Sequence, residues 1–128
     1  VHKICLIGPQ QVIRQAAEQL AGLARTVQQD SWNDSWYLEL LPPGCDKGSA
    51  LRMVNRYLGI PRAGSLCFGD GENDLDMFRA AGVRVAVRGG CPALVQLADS
   101  LCGPPAESGV AQELIRRQIL PAQTQKGA

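Results

Sequence analysis

The sequence predicts an α/β fold built on a parallel sheet, and three observations carry that prediction. Short apolar runs at Ser65 to Phe68 and Val83 to Val87 alternate with helix-period segments, the pattern of βαβ units. The run Leu66-Cys67-Phe68 leads directly into Gly69-Asp70-Gly71-Glu72-Asn73-Asp74. A strand end therefore delivers two carboxylates and an amide to the start of a helix, and open α/β sheets hold their ligands in the crevice at such ends. Upstream, Lys47-Gly48-Ser49 opens a second helix.

Taken in order, Val1 to Ile7 reads as a strand, and Pro9 starts a helix. Its apolar positions Val12, Ile13, Ala16, Ala17, Leu20 and Ala24 share one face, and Gln11, Arg14, Gln15, Glu18 and Gln19 cover the other. A strand at Thr26 to Gln29, a turn containing Asp30, Ser31, Asn33 and Asp34, and an alternating strand at Ser35 to Leu41 complete a β-α-β-β segment with a hairpin. In that last strand Trp36, Leu38 and Leu40 face one side. Pro42-Pro43-Gly44 breaks the pattern and marks a boundary. The expected organisation is thus 1–42, then 43–120, then a small, polar tail over 121–128 that is expected to be disordered.

Beyond the boundary Asp46 can N-cap a helix that turns Ala50, Leu51, Val54, Tyr57 and Leu58 inward, and Gly59 and Pro61 stop it. The acidic motif is followed by a helix from Asp74 to Ala81, and Val83 to Val87 is a strand. Pro92 starts a helix carrying Leu94, Val95 and Ala98, and Leu101-Cys102 forms a last short strand. Gly109 to Leu120 is a final helix with Val110, Ala111, Leu114 and Ile115 inward.

Composition narrows the function classes. With 45% hydrophobic residues in 128, the chain can bury a core as one unit. A formal charge of +1 argues against a nucleic-acid surface or an acidic tail. Of 13 basic residues only Lys3, Lys47 and Lys126 are lysines, leaving ten arginines. No basic run exceeds Arg116-Arg117, so that bias reads as composition. No apolar run approaches the roughly 20 residues of a membrane span, and no signal peptide is evident. Cys5, Cys45, Cys67, Cys91 and Cys102 are odd in number and contain no Cys-x-x-Cys, which points to free buried thiols in a reducing cytosol rather than to zinc or disulfides.

The two motifs together resemble the third and fourth motifs of the haloacid dehalogenase (HAD) superfamily, in particular its Cof-type (subfamily IIB) phosphatases with an α/β cap. The resemblance extends through Leu58-Gly59-Ile60, Met77, Ala81-Gly82, Val85-Ala86-Val87 and Gly109-Val110-Ala111. It implies that 43–120 corresponds to the C-terminal half of a HAD-like Rossmannoid core, preceded by a β-α-β-β piece of the cap. Two departures stand out. The family commonly carries Gly-Asn-Ala where this chain has Arg88-Gly89-Gly90-Cys91. The family's opening strand, which ends in Asp-x-Asp-Gly with its first Asp as nucleophile, has no counterpart here, nor does the later Ser/Thr motif.

By resemblance, Asp70 would bind Mg²⁺, and Asp74 would bind it through water or orient its neighbours. Asn73 would help hold phosphate or metal-bound water, and Lys47 would neutralise phosphoryl charge. Those roles suit phosphoryl transfer, which depends mainly on positioning and charge stabilisation. Asp76 reads instead as a complement to a helix dipole, and Glu72 as a solvated turn residue. His2 is the only histidine and excludes any His-based triad. Trp36 reads as packing, and Trp32 as near a substrate entrance.

A calcium loop is rejected because its sixth position is Leu75 and its twelfth Ala81. A nucleotide-binding domain is rejected for want of a Gly-x-Gly-x-x-Gly or P-loop signature. The expectation is a cytoplasmic, Mg²⁺-dependent phosphatase of a small phosphorylated metabolite such as a sugar phosphate. It would work through an aspartyl-phosphate whose nucleophile is absent from this chain, so the chain alone would be inactive. The alternative is a catalytically inactive HAD fold with a binding or regulatory role. Neither nucleic acid nor membrane is expected as a partner, and self-association through an exposed sheet edge is.

Overall fold

A computed structural model describes residues 3–29 and 35–121 of the chain. It contains two sheets of three strands each. The first holds β1 (Ile4–Gly8), β2 (Ala24–Gln29) and β3 (Trp36–Leu41), with helix α1 (Gln10–Gln19) between β1 and β2 in sequence. Its order is β1-β3-β2, antiparallel throughout. The β-α-β-β segment and the pairing of its last two strands are as the sequence predicts; Val1, His2, Trp32 and the turn from Asp30 to Asp34 lie outside the described residues.

Alternation in β3 decides which face is buried. Leu38 and Leu40 pack with Ile13 and Ala17 of α1, and Leu6, Leu20, Val27 and Trp36 close around them. The guanidinium of Arg14 lies 5.1 Å from the centroid of the Trp36 ring, a cation–π distance. Two expected members of the α1 face are placed differently. Val12 is exposed, and Ala24 already belongs to β2.

Pro42-Pro43-Gly44 makes a turn between the two sheets, closed by Cys45 N–H donating to the Pro42 carbonyl at 3.0 Å, with Gly44 at φ +76°. Helix α2 (Lys47–Leu58) then begins at a capping box. The Asp46 carboxylate accepts from Ser49 N–H at 2.6 Å, and Ser49 Oγ accepts from Asp46 N–H at 3.0 Å. Gly59, at φ +67°, ends the helix in the left-handed conformation that favours glycine.

The second sheet is parallel, in the order β4 (Leu66–Gly69), β5 (Val83–Val87), β6 (Ser100–Cys102). Helices α3 (Leu75–Ala80) and α4 (Pro92–Leu97) connect these strands, and α5 (Gly109–Arg116) follows β6. Cys67, Phe78, Ala81, Ala86 and Leu94 form its buried core. Among the described residues β4 pairs only with β5, so its other edge is open.

Three expectations about burial need correction. In α2 only Leu51 packs against the core, whereas Val54, Tyr57 and Leu58 are exposed, as is Ala50. The buried position is Gly48, where a Cβ would strike the Asp76 carbonyl of the neighbouring helix region. In α5, which stops at Arg116 rather than Leu120, Val110 and Ala111 are exposed and Glu113 is buried. Arg116 and Arg117 pair with that carboxylate at 2.6 and 2.7 Å and hold it at about 2, well below the usual carboxylate range. The thiols are all free, but only Cys67 and Cys102 are buried; Cys5 and Cys45 are exposed.

Candidate functional site

Strand β4 ends at Gly69, and the chain turns through Asp70 and Gly71 into a 3₁₀ turn over Glu72–Asp74 before α3 begins. That turn carries the Asp74 carboxylate back under the loop. Asp74 Oδ2 accepts from the backbone N–H of Asp70 at 3.0 Å and of Gly71 at 3.2 Å. Gly69 makes room for it, because a Cβ there would meet the Asp74 carboxylate at under 3 Å. Asp74 is consequently buried, at 4% exposure.

A buried carboxylate requires hydrogen bonds and a countercharge. Lys47, at the first turn of α2, supplies the charge, with Nζ 2.5 Å from Asp74 Oδ1. Its own side chain remains half exposed. An ammonium has three donors, so this contact leaves others able to reach an anion from solvent. The buried thiol of Cys67, on β4, feels the same carboxylate. Burial first, and then Asp74, push it up to about 11, so it stays protonated at neutral pH.

Asp70 is exposed at the strand end. Its backbone is clamped from the neighbouring strand end, since its carbonyl accepts from Cys91 N–H at 2.8 Å. Gly90 lies so close that a Cβ would strike the Asp70 backbone, and Gly89 sits at φ +87°. The Arg88-Gly89-Gly90-Cys91 turn thus positions the acidic loop through main-chain contact. The spacing of the acidic motif carried no sign of this; the signal was a glycine pair at the end of the adjacent parallel strand.

Asp74 therefore links Lys47 to the Asp70 backbone at the C-terminal end of the parallel sheet. Asn73 is half-buried, and its side-chain oxygen folds back over Gly71. Glu72 is exposed, and Asp76 is exposed and pairs with Arg79 at 2.8 Å. Beside Lys47 runs a groove of about 460 Å³ walled by Leu41, Cys45, Ala50 and Met53. It was not foreseen from sequence, because its wall joins β3 to α2 across the proline turn.

No group of three or more His, Cys, Asp or Glu side chains able to hold a metal occurs among the described residues. Asp70 and Asp74 could still contribute to a Mg²⁺ site. The ion takes hard oxygen donors and typically uses one or two protein carboxylates beside substrate phosphate and water, and this donor set fits that pattern. No helix of the described residues is long and apolar enough to cross a membrane.

Comparison with known proteins places the chain. Residues 1–114 match the family model described as haloacid dehalogenase-like hydrolase. A 5-amino-6-(5-phospho-D-ribitylamino)uracil phosphatase of Bacillus subtilis is 34% identical over 92 residues, covering 71% of this chain and 34% of that protein. An HMP-PP phosphatase of Yersinia enterocolitica is 33% identical over 115 residues, covering 88% of this chain and 42% of that protein. The crystal structure of a haloacid dehalogenase-like hydrolase from Bacteroides thetaiotaomicron matches with a TM-score of 0.71 at 29% identity, over 91% of this chain and 44% of that one.

These similarities define an α/β fold of the HAD type. The chain belongs to the haloacid dehalogenase-like hydrolases, and its resemblance to the Cof-type phosphatases is borne out. It spans less than half the length of these relatives.

Proposed function

We propose that this chain supplies the lysine and acidic motifs of a Mg²⁺-dependent phosphatase acting on a small phosphorylated metabolite, a sugar phosphate being one such substrate. The observation that carries the reading is the contact of Lys47 with Asp74 beside an exposed Asp70. In this reading 1–42 belongs to the cap and 43–120 to the core. The nucleophilic carboxylate that would form an aspartyl-phosphate lies outside the chain.

Each residue then has a defined task. Asp70 presents an exposed carboxylate at a strand end and would hold the cation directly. Asp74 has one oxygen on two backbone amides and the other on Lys47, so it would orient its neighbours and reach the ion through water. When bound, Mg²⁺ would neutralise charge on the transferring phosphoryl group. Lys47 would add a second positive charge with the donors that Asp74 leaves unused, and Asn73 would offer its amide to phosphate or to metal-bound water. The Leu41, Cys45 and Met53 groove adjoins Lys47 and would receive the remainder of the substrate.

The gene sequence 5′ to the Val1 codon tests this reading. An in-frame apolar run ending in Asp-x-Asp-Gly is expected. A reading frame without it would leave the chain no nucleophile, and the inactive, binding form of the fold would then be the better account.

A further inference from the structure

Four arginines scattered through the sequence surround one groove. Arg52 and Arg56 of α2, Arg62 of the turn before β4 and Arg79 of α3 line a depression of about 470 Å³ together with Asn55, Ile60 and Ala80. A rise of 1.5 Å per residue puts Arg56 about 13 Å along α2 from Lys47, so this groove is separate from the candidate phosphatase site. Arg62 is fixed by its Nε, which donates to the Ala81 carbonyl at 3.0 Å. Arg79 shares Asp76 at 2.8 Å, with both side chains more than half exposed. Among the described residues, Arg52 and Arg56 have no ion pair.

Ordinary structural reasons cover only part of this cluster. Arg56 and Arg79 stand in the last turns of their helices, where a cation complements the helix dipole. Arg62 holds the Ala81 carbonyl at the end of α3, whereas Arg52 lies in the middle of α2 with no such role. Arg52 and Arg56 are also four apart on one helix face, a like-charge spacing that costs a few tenths of a kcal/mol. Of these four arginines only Arg79 pairs with a carboxylate among the described residues. A clustered anion would remove that repulsion, and guanidinium forks match phosphate oxygens two at a time.

We propose that this groove is a second anion site, built for a small ligand carrying several adjacent phosphates, such as tripolyphosphate or a nucleoside triphosphate. Its volume falls in the range of small-ligand pockets, roughly 300 to 1,000 Å³. Ile60 and Ala80 add apolar surface among the arginines, against which a base or other apolar portion can rest. A compact depression, rather than an extended basic stripe, favours such a ligand over a nucleic acid or an acidic protein.

The test is calorimetric titration of the chain with sodium tripolyphosphate and with ATP, in EDTA and low salt, so that metal at Asp70 does not contribute. Saturable one-to-one binding is expected, weakened about tenfold or more by Arg52→Gln with Arg56→Gln and unchanged by Lys47→Met. Backbone amide shifts in the unsubstituted chain give a reading free of any folding defect, and they should cluster at residues 52–62 and 79–80. Absence of saturable binding would overturn the proposal. So would loss of binding in Lys47→Met, or shifts confined to residues 47 and 69–74. Preferential binding of single-stranded RNA or a polyglutamate peptide that tripolyphosphate cannot displace would assign the groove to a macromolecule instead.

Discussion

Lys47 Nζ and Asp74 Oδ1 stand 2.5 Å apart across 27 residues of sequence, joining the first turn of α2 to the loop after β4. The pair is unequal, since Asp74 is buried while Lys47 is half exposed. Removing the lysine leaves the carboxylate with two backbone donors. Because Lys47 is half exposed, water can replace its ammonium, and Lys47→Met should cost about 1 kcal/mol rather than the roughly 3–5 kcal/mol of breaking a fully buried pair. Asp74→Ala strands the Asp70 and Gly71 amides as well as the ammonium, and should cost roughly 1–3 kcal/mol. Urea unfolding of both variants checks the order, and a costlier Lys47→Met would contradict it.

Gly48→Ala sets helix propensity against packing. In a helix interior alanine is favoured over glycine by up to about 1 kcal/mol. Here the new Cβ would strike the Asp76 carbonyl, and overpacking against backbone costs typically 1–3 kcal/mol. Net destabilisation is expected, with loss of α2–α3 packing. A raised melting temperature would show that α2 sits farther from Asp76 than described.

The Glu113 pair predicts an acid dependence. Its folded pKa of about 2 lies below the ordinary glutamate value of about 4.3. Its contribution to stability is therefore complete above that ordinary value and is lost as pH falls through the folded one. Glu113→Gln should lower the urea midpoint by an amount that is constant from about pH 6 upward and vanishes toward pH 2. A difference that persists undiminished at the lowest pH would mean that the ionised carboxylate is not what stabilises the end of α5.

Strand β4 has an open edge among the described residues, and α2 presents Met53, Val54, Tyr57 and Leu58 at 68%, 48%, 88% and 57% exposure. Open edges recruit other chains, and clustered apolar surface does the same. The isolated chain is expected to self-associate, with sedimentation showing mass that rises with concentration. Tyr57→Lys with Val54→Lys should shift it toward monomer. A monomer at high concentration that binds no hydrophobic dye would contradict this.

Elements with a clean apolar period were legible in the sequence. Val83 to Val87 coincides with β5, and the alternation of β3 correctly gave Leu38 and Leu40 to the core. The candidate site was legible because both of its motifs are local. Burial in α2 and α5 was not, since its determinants were not apolar side chains. Gly48 is buried by the close approach of a backbone, and Glu113 by two arginines within its own helix end. The contact of Cys91 with Asp70 and the gathering of Arg52, Arg56, Arg62 and Arg79 arise only when α3, β5 and α2 are packed.

In the proposed reading Lys47, Asp70 and Asp74 serve a phosphoryl transfer whose nucleophile lies outside the chain. The most direct measurement is phosphate release from p-nitrophenyl phosphate with Mg²⁺, by the chain alone and co-expressed with the N-terminal half of a related phosphatase. No turnover is expected from the chain alone, and Mg²⁺-dependent turnover that Asp70→Asn abolishes is expected from the reconstituted protein. Robust hydrolysis by the repurified chain alone, or reconstituted activity indifferent to Asp70→Asn and Lys47→Met, would contradict it.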